Sequence, residues 1–214
     1  MGFEPPPGYE DMLADAQFVA REPVWEDLEV SPLGTVKARR PGPDAVAVIA
    51  MSANPKLKYQ ERLRYLLQFV ESHVAEGVLD GIYYRMMLGE YPKRSVELVA
   101  RELSVWGTAR PYAAVVSLSV MAAYHWRTIR HKLLLAGVLD PMAMRSMHAV
   151  LDIAESMAVE SAANSEEPER EVAGLYRRLY GPHPDLGLDD EPVPAGFDPD
   201  EVEDSFDAFA RAAR

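Results

Sequence analysis

Between Pro43 and Gly181 the chain repeats one arrangement: a proline or asparagine, then apolar residues three and four positions apart, then a glycine. That spacing gathers apolar side chains on one face of an α-helix and does not suit the two-residue period of a half-buried strand. A body of short packed helices is expected. Asn54-Pro55 reads as an N-cap and first helical residue, and Leu63, Leu66, Leu67, Val70 and Val74 then mark one face until Gly77. Val78 to Leu88 forms a shorter segment with Ile82, Tyr83 and Met86, closed by Gly89. After Pro92, the residues Val96, Val99, Ala100, Leu103 and Trp106 form another stripe, with Gly107 just past its end. The segment behind Pro43, with Val46, Ile49, Ala50 and Ala53 at helical spacing, also reads as helix, although Val46 and Val48 fit a strand as well. These four helices make one unit over 44–106.

A linker is expected at 107–111, Gly107-Thr108-Ala109-Arg110-Pro111, and a second helical unit over 112–182. From Pro111 to Leu135 the pattern predicts one long helix, apolar nearly all round in its first half and basic in its second, where Arg127, Arg130 and Lys132 suit the negative end of the helix dipole. Asp140-Pro141 opens a helix to about Ala163 with the stripe Met147, Val150, Leu151, Ala154, Met157 and Ala158. Pro168 to Tyr180 closes the body, with Val172, Leu175, Tyr176 and Leu179 on one face. The expected fold class is all-α, two small helical units joined by a short linker.

Both ends differ in character from this body. Residues 1–43 hold Pro5, Pro6, Pro7, Pro23, Pro32, Pro41 and Pro43, a density that reads as an extended arm. Residues 1–29 carry eight acidic and one basic side chain, and residues 183–214 carry ten and two, whereas 30–182 carry sixteen and nineteen. A weakly basic body between extended acidic arms would repel a phosphate backbone, so no nucleic-acid partner is expected. The proline-rich, acidic start does not resemble a secretory signal, and no export is expected. The longest apolar run, Tyr112 to Trp126, falls short of the roughly 20 residues that cross a bilayer. No membrane partner is expected. In the tail 183–214, Asp198, Pro199 and Glu201 occupy N-cap, N1 and N3 of a short helix on which Val202, Phe206 and Phe209 project together. A helix this short is marginal in water, so a partner or the chain's own body would order it, or it frays.

Chemistry-bearing motifs are absent: no phosphate-cradling G-x-x-x-x-G-K-[ST], no dinucleotide G-x-G-x-x-G, no G-x-S-x-G and no H-E-x-x-H occurs. The chain has no cysteine, which removes disulfides, thiolate metal sites and cysteine nucleophiles. His148, Asp152 and Glu155 share a helix face at i, i+4 and i+7, and His125 or His131 could add a metal ligand. The same three residues equally describe the solvated stripe of an amphipathic helix. With the ligand set incomplete, no metal, cofactor or catalytic site is assigned, and the chain is read as a non-enzymatic binding protein. Ten methionines suit core filling or an irregular apolar partner. Val115, Val116, Leu118, Val120 and Met121 span more than the ~100° stripe of a surface helix, so part of that face must meet the first unit or another chain. The expected partner-binding residues are Trp106, Tyr112, Val116, Leu118, Tyr124, Trp126, Val202, Phe206 and Phe209.

Three stretches carry a family resemblance. The run from Ala50 through Asn54-Pro55 to Lys58, the join Trp106 to Pro111, and the stretch from His125-Trp126 through Gly137 to Asp152 resemble the tail assembly chaperones of actinobacterial siphophages, as does the closing Ser205 to Phe209. The resemblance runs from about residue 37 to the end. It implies a chaperone made in a short form and a longer, frameshifted form, this chain being the longer, with the frameshift join near Gly107 to Tyr112. It implies binding to the tape measure protein, recruitment of major tail tube protein, association with the short form of the same chaperone, and action in the host cytoplasm, outside the mature virion. Self-association into a homo-oligomer is compatible with it. The rival from another class is a regulatory or antidefence protein whose acidic arms imitate nucleic acid.

Overall fold

In the computed structural model, residues 8–16 and 24–181 are described, and the chain folds into helices around one two-stranded hairpin. The order is α1 (Gly8–Ala16), β1 (Glu26–Val30), β2 (Gly34–Ala38), α2 (Asp44–Ala53), α3 (Tyr59–His73), α4 (Val78–Met87), α5 (Ser95–Val105), α6 (Tyr112–Tyr124), α7 (Trp126–Leu135), a 3₁₀ turn (Pro141–Ala143), α8 (Met147–Ala163) and α9 (Pro168–Tyr180). The fold class is all-α, as the apolar spacing predicts.

Residues 24–43, expected to be part of an extended arm, are instead built into the body. Leu28 and Val30 on β1 alternate with Asp27 and Glu29, and Val36 and Ala38 on β2 alternate with Thr35 and Lys37, so one face of the hairpin is apolar and buried. The register pairs Leu28 with Val36 and Val30 with Gly34. Pro32, Pro41 and Pro43 all lie outside the strands, where a missing N–H costs no ladder hydrogen bond, so proline density here delimits strands rather than forbidding them. The hairpin is stitched to the end of α3 by Arg39 N–H to the His73 carbonyl at 2.8 Å and Ala75 N–H to the Lys37 carbonyl at 2.9 Å. Residues 8–16, also expected to be extended, form α1.

Helix α2 is the centre of the fold. Ala45, Val46, Ala47, Ile49, Ala50 and Ala53 are all buried, and their small size lets α3, α6 and α1 approach closely. Asn54 does not open the next helix: it ends α2, with its Oδ1 accepting from Lys56 N–H at 3.0 Å, and α3 starts at Tyr59. Glu61 accepts from Lys58 N–H at 3.0 Å, so a capping carboxylate takes the place of the expected asparagine cap.

The long helix expected from Pro111 to Leu135 is broken at His125, whose φ of −104° and ψ of 20° separate α6 from α7. The break follows a change in surroundings, since α6 buries nine of its thirteen residues while α7 buries only Trp126, Ile129 and Leu133. The helix expected to open at Asp140 is likewise two elements. Asp140 Oδ1 accepts from Met142 N–H at 2.9 Å in the 3₁₀ turn, and Ser146 Oγ caps α8 by accepting from His148 N–H at 3.1 Å. Met147 N–H donates to the Pro41 carbonyl at 3.1 Å, joining the start of α8 to the loop before α2. One core cluster runs through residues from both expected units, with α2 packed on α6 and α8.

Candidate functional site

The join between the two expected units is a clamped turn. Helix α5 ends at Val105, Gly107 turns the chain with φ +86°, and a Cβ there would meet Arg40 Nη1 at 3.0 Å. The Arg40 guanidinium lies 4.9 Å from the centroid of the Trp106 ring and is held by Glu26, with Nε to Oε1 at 3.1 Å. His148 Nε2 donates to the Trp106 carbonyl at 3.2 Å. Beyond the turn, Arg110 Nη2 reaches Asp152 Oδ1 at 2.7 Å and Glu155 Oε2 at 2.5 Å, and Tyr180 Oη donates to the other oxygen of Glu155 at 2.7 Å. The pair is largely shielded, the side chains of Arg110 and Glu155 being 11% and 16% exposed.

The electrostatics follow from that geometry. Burial works against the Arg110 charge, but its hydrogen bonds to Glu155, Asp152 and Tyr180 outweigh it and hold the guanidinium pKa above its usual range. Burial lowers the pKa of His148, assisted by the nearby Arg110 charge and opposed by the bond to Trp106. Asp152 and Glu155, weighed as metal ligands on their spacing, are thus the counter-ions of a linker arginine. Among the described residues no group of three or more His, Asp or Glu side chains is arranged to hold a metal ion.

The expected partner-binding residues are dispersed by the fold. Val116, Leu118 and Trp126 are at most 1% exposed, in the interior, so none of them is available to a partner while the body is closed. The burial of Val116 and Leu118 has a plain cause: α1, α2, α5, α8 and α9 all pack on α6. Trp106, Tyr112 and Tyr124 are half-buried against the core. Burial pushes the Tyr112 hydroxyl up to about 12. Val202, Phe206 and Phe209, with the acidic tail that carries them, lie outside the described residues.

Two exposed apolar groups escaped the sequence reading. On α4 and just beyond it, Tyr84, Met87 and Leu88 are 60%, 78% and 55% exposed. At the end of α7, Leu134, Leu135 and Leu139 are 46%, 76% and 82% exposed. A signal existed in the doubled apolar pairs Tyr83-Tyr84, Met86-Met87 and Leu134-Leu135, since neighbours 100° apart on a helix cannot both face a core. Helix α4 buries Ile82 and half-buries Met86, leaving Tyr83, Tyr84 and Met87 exposed.

Comparison with known families divides the chain near the start of α6. Residues 2–111 match the family described as phage tail assembly chaperone protein, and residues 121–214 match a family of unknown function. No curated protein and no solved structure matches the chain.

Proposed function

Because the chain belongs to the phage tail assembly chaperone family, we propose that it binds the tape measure protein, keeps it soluble and recruits tail tube subunits during tail morphogenesis. It does so without catalysis, in the host cytoplasm, and is left out of the mature virion. The observation that carries the reading is the pair of exposed apolar groups, Tyr84, Met87 and Leu88 on one side and Leu134, Leu135 and Leu139 on the other. Side chains of this kind on a charged surface suit the apolar stripes of a long helical client, and several weak contacts along such a client add through effective concentration.

The division of the family matches supports the reading of this chain as the longer of two forms. The chaperone match ends at residue 111, just before α6, where a frameshift join would fall and where a short form would part from it. The assignment to actinobacterial siphophages rests on the wording of the motifs around Asn54, Gly107 and Asp140. Co-expression of the tape measure protein with this chain, followed by fractionation, tests the proposal. The client should move to the soluble fraction with the wild type and return to the pellet with the double variant Met87→Asp and Leu135→Asp. A client that stays insoluble beside the wild type would overturn the reading.

A further inference from the structure

Helix α1 occupies a groove whose walls come from α2, α6 and α7. Tyr9 and Met12 are buried in it, Met12 completely, and Leu13 packs at its margin. The polar fit is equally specific. Trp126 Nε1 donates to Asp15 Oδ2 at 2.7 Å, Arg130 Nη1 pairs with the same carboxylate at 3.0 Å, and Arg127 Nε pairs with Asp11. Arg127 holds the Asp11 carboxyl below the usual carboxylate range through that hydrogen bond. At its other end α1 meets the carboxyl terminus of α6 so closely that a Cβ on Gly8 would fall 2.6 Å from the Ala123 carbonyl oxygen and 2.8 Å from that of Tyr124. Only a residue without a Cβ fits at this point of contact between α1 and the end of α6.

A nine-residue helix is not stable alone in water, so the groove supplies the order of α1. The receiving surface selects a definite chemistry: an aromatic side chain, an aliphatic one three residues on, and carboxylates two and six residues after the aromatic to meet Arg127 and Arg130. We propose that the groove between α2, α6 and α7 is a docking site for an acidic amphipathic helix of a partner protein, and that α1 is its built-in occupant. The proposal goes beyond the tail assembly reading and needs no particular client. A tethered occupant competes at an effective concentration on the order of millimolar, so a partner helix of equal intrinsic affinity gains the groove only when α1 is released.

The test uses the full chain and a fluorescent peptide spanning residues 5–20. Gly8→Val drives α1 out by the clash with the Ala123 and Tyr124 carbonyls, and Met12→Asp does so by an independent route. Both changes lie in the occupant, and the Trp126 indole N–H resonance reports whether the groove has emptied and refilled. Each variant should bind the peptide at least about tenfold more tightly than the wild type. Adding Arg127→Glu and Arg130→Glu should abolish the gain. Unchanged affinity in the released variants, or binding indifferent to the charge reversals, overturns the proposal. So does a concentration-dependent dimer of the wild type that exchanges α1, since the occupant would then be a second copy. Because the tape measure protein is absent from the assay, failure here is separable from failure of the chaperone reading.

Discussion

Arg110, in the join, and Glu155, on α8, form the most shielded ion pair among the described residues, 2.5 Å apart with Tyr180 on the second carboxylate oxygen. A pair this far from solvent depends on both partners being present. Arg110→Ala leaves Glu155 with a hydroxyl for company and should destabilise the chain by about 2–3 kcal/mol, the lower side of what breaking a buried pair costs. The double change Arg110→Met and Glu155→Leu should recover most of that loss. Urea denaturation of the two variants decides it, and equal midpoints would show that the pair contributes nothing.

Burial of α6 makes a sharper prediction than its apolar composition alone. Val116→Asp and Leu118→Asp should both unfold the chain, each placing an unpaired charge in the interior at a cost of roughly 3 kcal/mol or more. Leu135→Asp and Met87→Asp, at exposed positions, should shift stability by no more than about 0.5 kcal/mol. Circular dichroism and denaturant midpoints separate the groups; a folded, soluble Leu118→Asp chain would contradict the packing of α6.

Histidine titration sets the direction of the pH response. Burial lowers His125 to about 4 and also lowers His73 and His148 from the ordinary 6.5. In the unfolded chain each binds its proton at a higher pH than in the folded one, so their stabilisation is fully present above about 6.5 and is lost as pH falls toward about 4. His125 alone accounts for up to about 3 kcal/mol over that window. Denaturation midpoints from pH 7 to pH 4 should fall, and His125→Gln should flatten the slope; a midpoint constant across that range would rule this out.

Gly107→Ala should cost about 1–2 kcal/mol, because φ +86° strains any L side chain and the new methyl meets Arg40 Nη1 at 3.0 Å. Replacing Arg40 as well relieves only the contact, so the loss should shrink but not vanish. A thermal midpoint unchanged by Gly107→Ala would show that the turn relaxes freely.

The helical stripes were legible because period and burial agree: Val96, Val99, Ala100 and Leu103 are all buried on α5, as their spacing requires. The breaks were less so. Nothing at His125 marks a helix end, since neither proline nor glycine stands there, and only the tertiary change from an enclosed α6 to a half-exposed α7 separates the two. The hairpin was hidden by prolines that turn out to stand outside the strands, Pro32 between them and Pro41 and Pro43 after them, although the alternation Leu28, Val30 and Val36, Ala38 was present. For the candidate surface, burial on α6 depended on α2, a partner that ends at Ala53 while α6 starts at Tyr112 and that no local pattern names. The clamp of Arg110 on Asp152 and Glu155 was half visible: the carboxylates stood out by their spacing, but the cation that claims them comes from a different element.

The packing of α2 against α6 also has a temporal side. A chain emerging from the ribosome at about 5–20 residues per second completes α2 several seconds before α6 exists. During that interval α1 and α3 can close over part of α2, but the side that will receive α6 has no cover. Each newly made molecule therefore passes through a stage in which its own central helix is as sticky as the clients such proteins tend. How fast translation runs between residues 54 and 124, rather than how stable the finished body is, would then set the yield of correctly folded chains.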